Sequence, residues 1–351
     1  MSLPVEPNCP IPLGQYERIV MAHGGGGQLM QQLLDRLVQP AFDNPYLAER
    51  HDSAVFESGG LRHAFTTDSY VVKPLFFPGG DIGKLAVCGT LNDLAMAGAR
   101  PMFMSAALII EEGLPVESLR QVLESMAATA RAAGVAIVTG DTKVVERGRG
   151  DGLYINTAGI GMIQAGTPAI HPSAVVPGDV ILINSDIGRH GIAVMAQREG
   201  LALETTIESD CADLSGLVLA LLDAGIELHC LRDLTRGGLA SALIEIAEAA
   251  DIGIGLEECA IPVHEAVNGV CDILGLDPLY VANEGVMAML LPESQATRAL
   301  DVLRSHPLGA SATVIGQVTG PATPGHVHLR TAFGTERNLI RLSGEQLPRI
   351  C

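Results

Sequence analysis

The chain has 351 residues, 48% of them hydrophobic but only 3% aromatic and none tryptophan, which describes an interior of small aliphatic side chains suited to close packing of helix on sheet. Its 40 acidic and 22 basic residues leave a net charge of −18, a surface that repels nucleic acid and anionic membranes. The length buries a large core and favours two domains over one. The seven cysteines (Cys9, Cys88, Cys211, Cys230, Cys259, Cys271 and Cys351) show no C-x-x-C pair and no zinc spacing, so a reducing cytoplasm is the expected setting. Pro4, Pro7, Pro10 and Pro12 interrupt the first residues and no uncharged apolar run reaches membrane-spanning length, so the chain reads as soluble and untargeted.

The first segment, 1–45, is a proline-rich arm that leads through His23-Gly24-Gly25-Gly26-Gly27-Gln28 into an apolar helical pattern at Leu29, Leu33, Leu34 and Leu37. Four residues without Cβ let backbone N–H groups approach an anion, and a helix start adds partial positive charge. The run is equally readable as a hinge, since it is not the G-x-x-x-x-G-K-[ST] pattern and holds no lysine. A first domain, 46–170, alternates strands at 54–56, 64–67, 102–110, 135–139 and 153–163 with helices at 81–97 and 115–133, which is α/β or α+β material. Pro172 to Gly178 connects to a second α/β domain, 171–340, with a strand at 179–184 and helices near 190–199, 213–224 and 237–249. A tail, 341–351, ends on Pro348-Arg349-Ile350-Cys351, and a thiol on a mobile terminus is a portable nucleophile.

The helix predicted at 81–97 has Asp81 to cap it and Gly98 to end it, and its apolar stripe of Ile82, Leu85, Ala86 and Gly89 continues into Asn92 and Asp93. A carboxylate on the buried side must be ion-paired, hydrogen-bonded or metal-bound, and pairing with an arginine is the plain structural alternative. Asp52 precedes a strand, Asp68 and Asp141 follow strands, and Asp233 lies in Arg232-Asp233-Leu234-Thr235-Arg236-Gly237-Gly238; singly each reads as a turn or cap residue. With the glycine run and with Lys143 in Gly140-Asp141-Thr142-Lys143, they are the side chains that Mg²⁺ and ATP require, hard oxygen ligands and a cation for phosphate.

These segments, with Asn92-Asp93-Leu94-Ala95-Met96-Ala97-Gly98-Ala99-Arg100-Pro101, Asp186-Ile187-Gly188-Arg189-His190-Gly191, Ala282-Asn283-Glu284-Gly285 and the Pro-Arg-Ile-Cys ending, resemble the HypE family of nickel–iron hydrogenase maturation proteins nearly end to end. The nucleotide-site segments are similar, more loosely, to aminoimidazole ribonucleotide synthetase, selenophosphate synthetase and thiamine phosphate kinase, and the terminal cysteine separates the HypE family from these. The resemblance implies the two-domain α/β (α+β) aminoimidazole-ribonucleotide-synthetase-like fold, in a homodimer whose N-terminal domains form a β-barrel-like core beside the ATP sites. It implies ATP-dependent dehydration of a carbamoyl group on Cys351 to a thiocyanate, with a carbamoyltransferase (HypF) as donor and an iron scaffold (HypC and HypD) as cyanide acceptor. It further implies Asp52, Asp68, Asp93 and Asp233 as magnesium ligands, Gly24, Gly25, Gly26 and Gly27 closing over the nucleotide, and Asn92, Asp141, Thr142, Lys143 and Arg232 as further nucleotide contacts. Cys351, Glu284 as general base, Lys143 and His190 are the catalytic set that it suggests.

One departure is visible, since His51 stands where relatives carry a first acidic residue. Two rival readings remain at this stage. A selenophosphate-synthetase-like enzyme would place its reactive Cys near the glycine loop, and residues 20–34 contain none. A non-catalytic, ATP-switched adaptor would bind nucleotide and dock its tail without chemistry on Cys351.

Overall fold

The computed structural model describes residues 18–200, 207–320 and 326–342, so the expectations for the start of the arm and for Cys351 lie outside the described residues. A hairpin of β1 (Ala54–Ser58) and β2 (Leu61–Tyr70) opens the first sheet, and its two-residue turn uses Gly59 and Gly60, both at positive φ (61° and 76°). A short ribbon of β3 (Phe76–Phe77) and β4 (Gly80–Asp81) leads into the helix Ile82–Met96. Then β5 (Ala99–Glu111), β6 (Ala136–Val145) and β7 (Leu153–Ile163) complete a five-stranded sheet in the order β1-β2-β7-β5-β6. Its pairs are antiparallel except β5 with β6, which the helix Val116–Ala132 joins as a crossover.

The second sheet holds seven strands: β8 (Asp179–Ile183), β9 (Cys230–Asp233), β10 (Gly253–Glu257), β11 (Met287–Pro292), β12 (Thr313–Thr319), β13 (Val327–Arg330) and β14 (Glu336–Leu339). Their order is β14-β13-β10-β12-β8-β11-β9, with only β10 and β13 parallel. One apolar cluster packs the helix Gly238–Ala250 on one face, through Leu239, Leu243 and Ile246 against Ile181, Ile254 and Leu290. Another packs the helix Ser215–Asp223 on the other face, through Leu217 and Leu221 against Leu182, Leu231 and Met289. β8 and β11 are therefore buried on both sides, and their continuous apolar runs follow from that.

The helix Ile82–Met96 sits where the two domains meet. Asp81 caps it, its Oδ1 accepting from the N–H groups of Gly83 (2.7 Å) and Lys84 (3.2 Å), and Gly98 at φ +70° follows its end. The expected one-sided stripe is replaced by burial on nearly every side, because the sheet covers one face and the second domain covers the other. Gly89 allows the approach, since a Cβ there would stand 2.2 Å from the Tyr70 hydroxyl. At the far edge β6 is exposed along almost its whole length, with Val138 59% and Val144 67% accessible.

Candidate nucleotide and metal site

A cavity of about 870 Å³ lies between the glycine run, the start of β1, the middle of β2 and the segment after β9. It gathers Gly26, Gly27, Asp52, Asp68, Asp93, Arg232 and Asp233, seven of the residues singled out from the sequence. Gly26 takes φ +74°, and a Cβ on it would press within 3.3 Å of the Arg236 backbone, so a side chain is excluded twice. Gly24 and Gly25 stand outside the lining, with the Gly24 carbonyl 3.5 Å from Arg236 Nη1.

The acidic side chains reach the cavity by different routes. Asp68 lies within β2 rather than after it, because the strand runs on to Tyr70. Asp93 accepts a hydrogen bond from Thr66 Oγ1 (2.7 Å), so a β2 hydroxyl rather than an arginine receives it. Asp233 ends β9, and Arg232, its neighbour, pairs with Asp52 at 2.9 Å and with Glu245 on the helix Gly238–Ala250. Burial would raise the Asp52 carboxyl, but Arg232 and His51 outweigh it and hold it low. Burial first, and then Asp233, Asp52 and Asp68, push Asp93 well above the ordinary carboxylate range. Asp233 is pushed the same way by burial and by Asp52, against the pull of Arg232.

Such a cluster favours cations. Among the described residues no three acidic, His or Cys side chains stand together as a ready metal cage. Arg50, Arg232, Arg236 and Arg341 also line the cavity and supply the positive charge an anionic ligand needs.

His51, the departure noted in the sequence, is a framework residue. Its Nδ1 lies 2.9 Å from the Asp52 backbone nitrogen and its Nε2 3.0 Å from the Ile170 carbonyl oxygen. It ties the approach to β1 to the connector between the domains.

The remaining candidates lie elsewhere. Asn92 is buried and faces away from the cavity lining, its Nδ2 donating to the carbonyls of Ala212 (3.1 Å) and Glu284 (3.3 Å) and its Oδ1 accepting from Leu214 N–H (2.8 Å). Glu284 is 3% exposed, and its Oε1 has no hydrogen-bond partner among the described residues. Burial, then Asp233, Asp210 and Asp68, hold its carboxyl well above the usual range. His190 is fully buried, with Nδ1 2.8 Å from Ser209 Oγ and its ring edge-on to Phe77.

Asp141, Thr142 and Lys143 are not at a strand end, because β6 continues through them to Val145. They are exposed, and Lys143 Nζ bonds both oxygens of Asp141 (2.9 and 2.7 Å). Three strand spacings separate β6 from β2, about 14 Å. The sequence reading missed Arg50, Arg236, Glu245, Glu248 and Arg341. Arg236 lies inside a motif that was singled out, whereas Arg341 meets Glu245 (3.3 Å) and Glu248 (2.5 Å) across more than ninety residues, with no local signal.

The two-domain fold is shared with known proteins. The family model for the N-terminal domain of AIR synthase related proteins matches residues 50–163, and that for the C-terminal domain matches 176–327. The carbamoyl dehydratase HypE of Azotobacter vinelandii is 50% identical over 335 residues, covering 95% of this chain and 97% of its own. The chain belongs to the HypE family. The HypE of a crystallised HypE–HypF complex superposes with a TM-score of 0.83 at 45% identity, over 88% of this chain and 99% of that one. A HypE crystallised with ATP gives 0.80 at 47% identity, over 95% of this chain and all (100%) of the other. The HypE relationship therefore extends across both sheets and the helix between them.

Proposed function

We propose that the chain is an ATP-dependent carbamoyl dehydratase that converts an S-carbamoyl group on Cys351 into a thiocyanate, the source of cyanide ligands for the iron of nickel–iron hydrogenase. Near-full-length identity of 50% to carbamoyl dehydratase HypE carries the reading, and the arginine-lined, acidic cavity is what such chemistry uses. Removing water from a carboxamide expels a very poor leaving oxygen, and ATP supplies a phosphoryl group that makes the oxygen leave as phosphate. The carbon–nitrogen bond becomes triple as two N–H protons depart.

This chain's residues divide the work. The glycine run and the cavity arginines hold the triphosphate, and Asp52, Asp68, Asp93 and Asp233 supply oxygen ligands for Mg²⁺. Positive charge beside Asp233 and Asp68 would offset two of the causes that raise the Glu284 carboxyl, which favours the carboxylate that takes a proton from the carbamoyl nitrogen. Asn92 and His190 position, through their bonds to the 209–214 segment, rather than touching nucleotide.

The open strand β6 gives this reading its dimer. An edge that no strand among the described residues pairs, with exposed Ile137, Val138 and Val144, calls for a covering partner, and a second copy paired there turns Lys143 from a surface residue into a member of a site. HypF is the proposed carbamoyl donor, in keeping with the crystallised HypE–HypF complex, and HypC with HypD the proposed cyanide acceptor. Among the described residues no helix is long and apolar enough to cross a membrane, and a cytoplasmic setting completes the proposal.

The test is the intact mass of protein carbamoylated on Cys351, before and after MgATP, beside Cys351→Ala. Loss of one water from the parent alone is expected. A thiocarbamate that keeps its mass while ATP binds would instead favour the adaptor.

A further inference from the structure

Residues 208–214 belong to no strand or helix, yet they are gripped from every side. Ser209 donates its N–H to the Pro78 carbonyl (2.8 Å), and its Oγ meets His190 Nδ1 (2.8 Å) and accepts from Cys211 N–H (3.1 Å). Gly79 exists for this contact, since a Cβ there would lie 2.7 Å from Ser209 N. Ala212 donates its N–H to the Glu284 carbonyl (3.3 Å), to which Asn92 Nδ2 also donates. Between them, one oxygen of Asp210 accepts from two successive N–H groups, those of Glu284 (3.2 Å) and Gly285 (3.1 Å). A Cβ on Gly285 would stand 1.9 Å from the Asp210 carbonyl, so the two segments touch as closely as backbones can.

We propose that Asp210 is a positioning residue for Glu284, its carboxylate clamping the Glu284–Gly285 backbone so that the Glu284 side chain is aimed at the reacting carbamoyl group. The Glu284 peptide is held at both ends, its N–H by Asp210 and its carbonyl by Ala212 and Asn92, while its Oε1 is kept clear of every protein partner among the described residues. A group spared from structural bonds on a backbone fixed at both ends is how a proton-transferring carboxyl is held ready. Asp210 also carries a cost, because its other oxygen is buried without a hydrogen-bond partner among the described residues and burial raises its carboxyl to about 6. The clamp joins Glu284 to His190 through Ser209 and to Asn92 through Ala212, which gives three residues outside the nucleotide cavity one shared role.

The inference rests on the reading of Glu284 as the proton acceptor in dehydration. Its test is the single-turnover rate of water loss from carbamoylated protein at saturating MgATP, with ATP affinity measured on the same samples. Asp210→Ala, which removes both bonds, is expected to slow water loss on the order of 10²-fold with ATP affinity unchanged. Asp210→Asn, whose amide oxygen can accept the same two bonds, is expected to recover most of that rate. Asp210→Glu keeps the charge but displaces the clamp by one methylene, so it should be nearly as slow as Asp210→Ala and serves if the alanine variant does not fold. Parent-like rates in Asp210→Ala or Asp210→Glu, or an Asp210→Asn no faster than Asp210→Ala, would overturn the clamp. A parent protein that loses no water would overturn the dehydratase reading itself, and the clamp with it.

Discussion

Asp93 on the buried helix Ile82–Met96 and Asp141 on the open strand β6 carry the same side chain in opposite surroundings. Burial and three neighbouring carboxylates push Asp93 up, whereas a hydrogen bond from Lys143 pulls Asp141 down. The first belongs to a cavity whose carboxylates repel one another. The second belongs to a surface whose charges are already matched and whose backbone edge is not. The two surroundings leave different signatures: buried repulsion in one, an exposed apolar strand in the other.

The largest effect should come from removing the cation that the cavity already holds. Arg232 and Asp52 are only 16% and 10% exposed, so Arg232→Ala strands buried Asp52 and is expected to cost about 3–5 kcal/mol, read as a large fall in melting temperature. Parent-like melting of that variant would show that water, not Arg232, balances the cavity.

Next in size is the open edge. A Cβ at Gly140 would lie 2.0 Å from the Ala106 carbonyl, so Gly140→Ala should prise β6 from β5 at about 1–3 kcal/mol and weaken self-association in sedimentation analysis. Undiminished association would place the copy-to-copy contact elsewhere.

Asp93→Asn tests the sign of the buried repulsion. Because its folded carboxyl sits above the unfolded value, Asp93 contributes stability only at low pH and loses it as pH rises through the folded value. In chelator at neutral pH the asparagine variant, which keeps an acceptor for Thr66, should melt slightly higher than the parent while binding MgATP less well. Lower melting at neutral pH would contradict the repulsion.

The smallest stability effect belongs to Lys143→Ala, which removes an exposed ion pair and should leave melting unchanged while slowing water loss. Unchanged turnover would remove Lys143 from the site.

Much of the site was legible where chemistry and local structure coincide. The cap at Asp81, the break at Gly98 and the glycines before the first helix are written in neighbouring residues, and so is Asp233 at the end of β9. Asp141 was misplaced because a glycine inside a strand looks like a turn: Gly140 sits in mid-strand, where it permits the close approach of Ala106. Arg341 and Asp210 were invisible for another reason, since their partners lie far away along the chain and no periodicity links them.

The sequence by itself determined the family, the alternation of helix and strand and the inventory of candidate carboxylates, because these depend on residue type and short-range spacing. Tertiary structure alone decided which of them share a space. It brought Asp52, Asp68, Asp93 and Asp233 to one cavity, left Asp141 and Lys143 on an outer strand, and set Glu284 behind a clamp. Strand order and domain packing fix those distances, and both arise from contacts between residues that the chain keeps far apart.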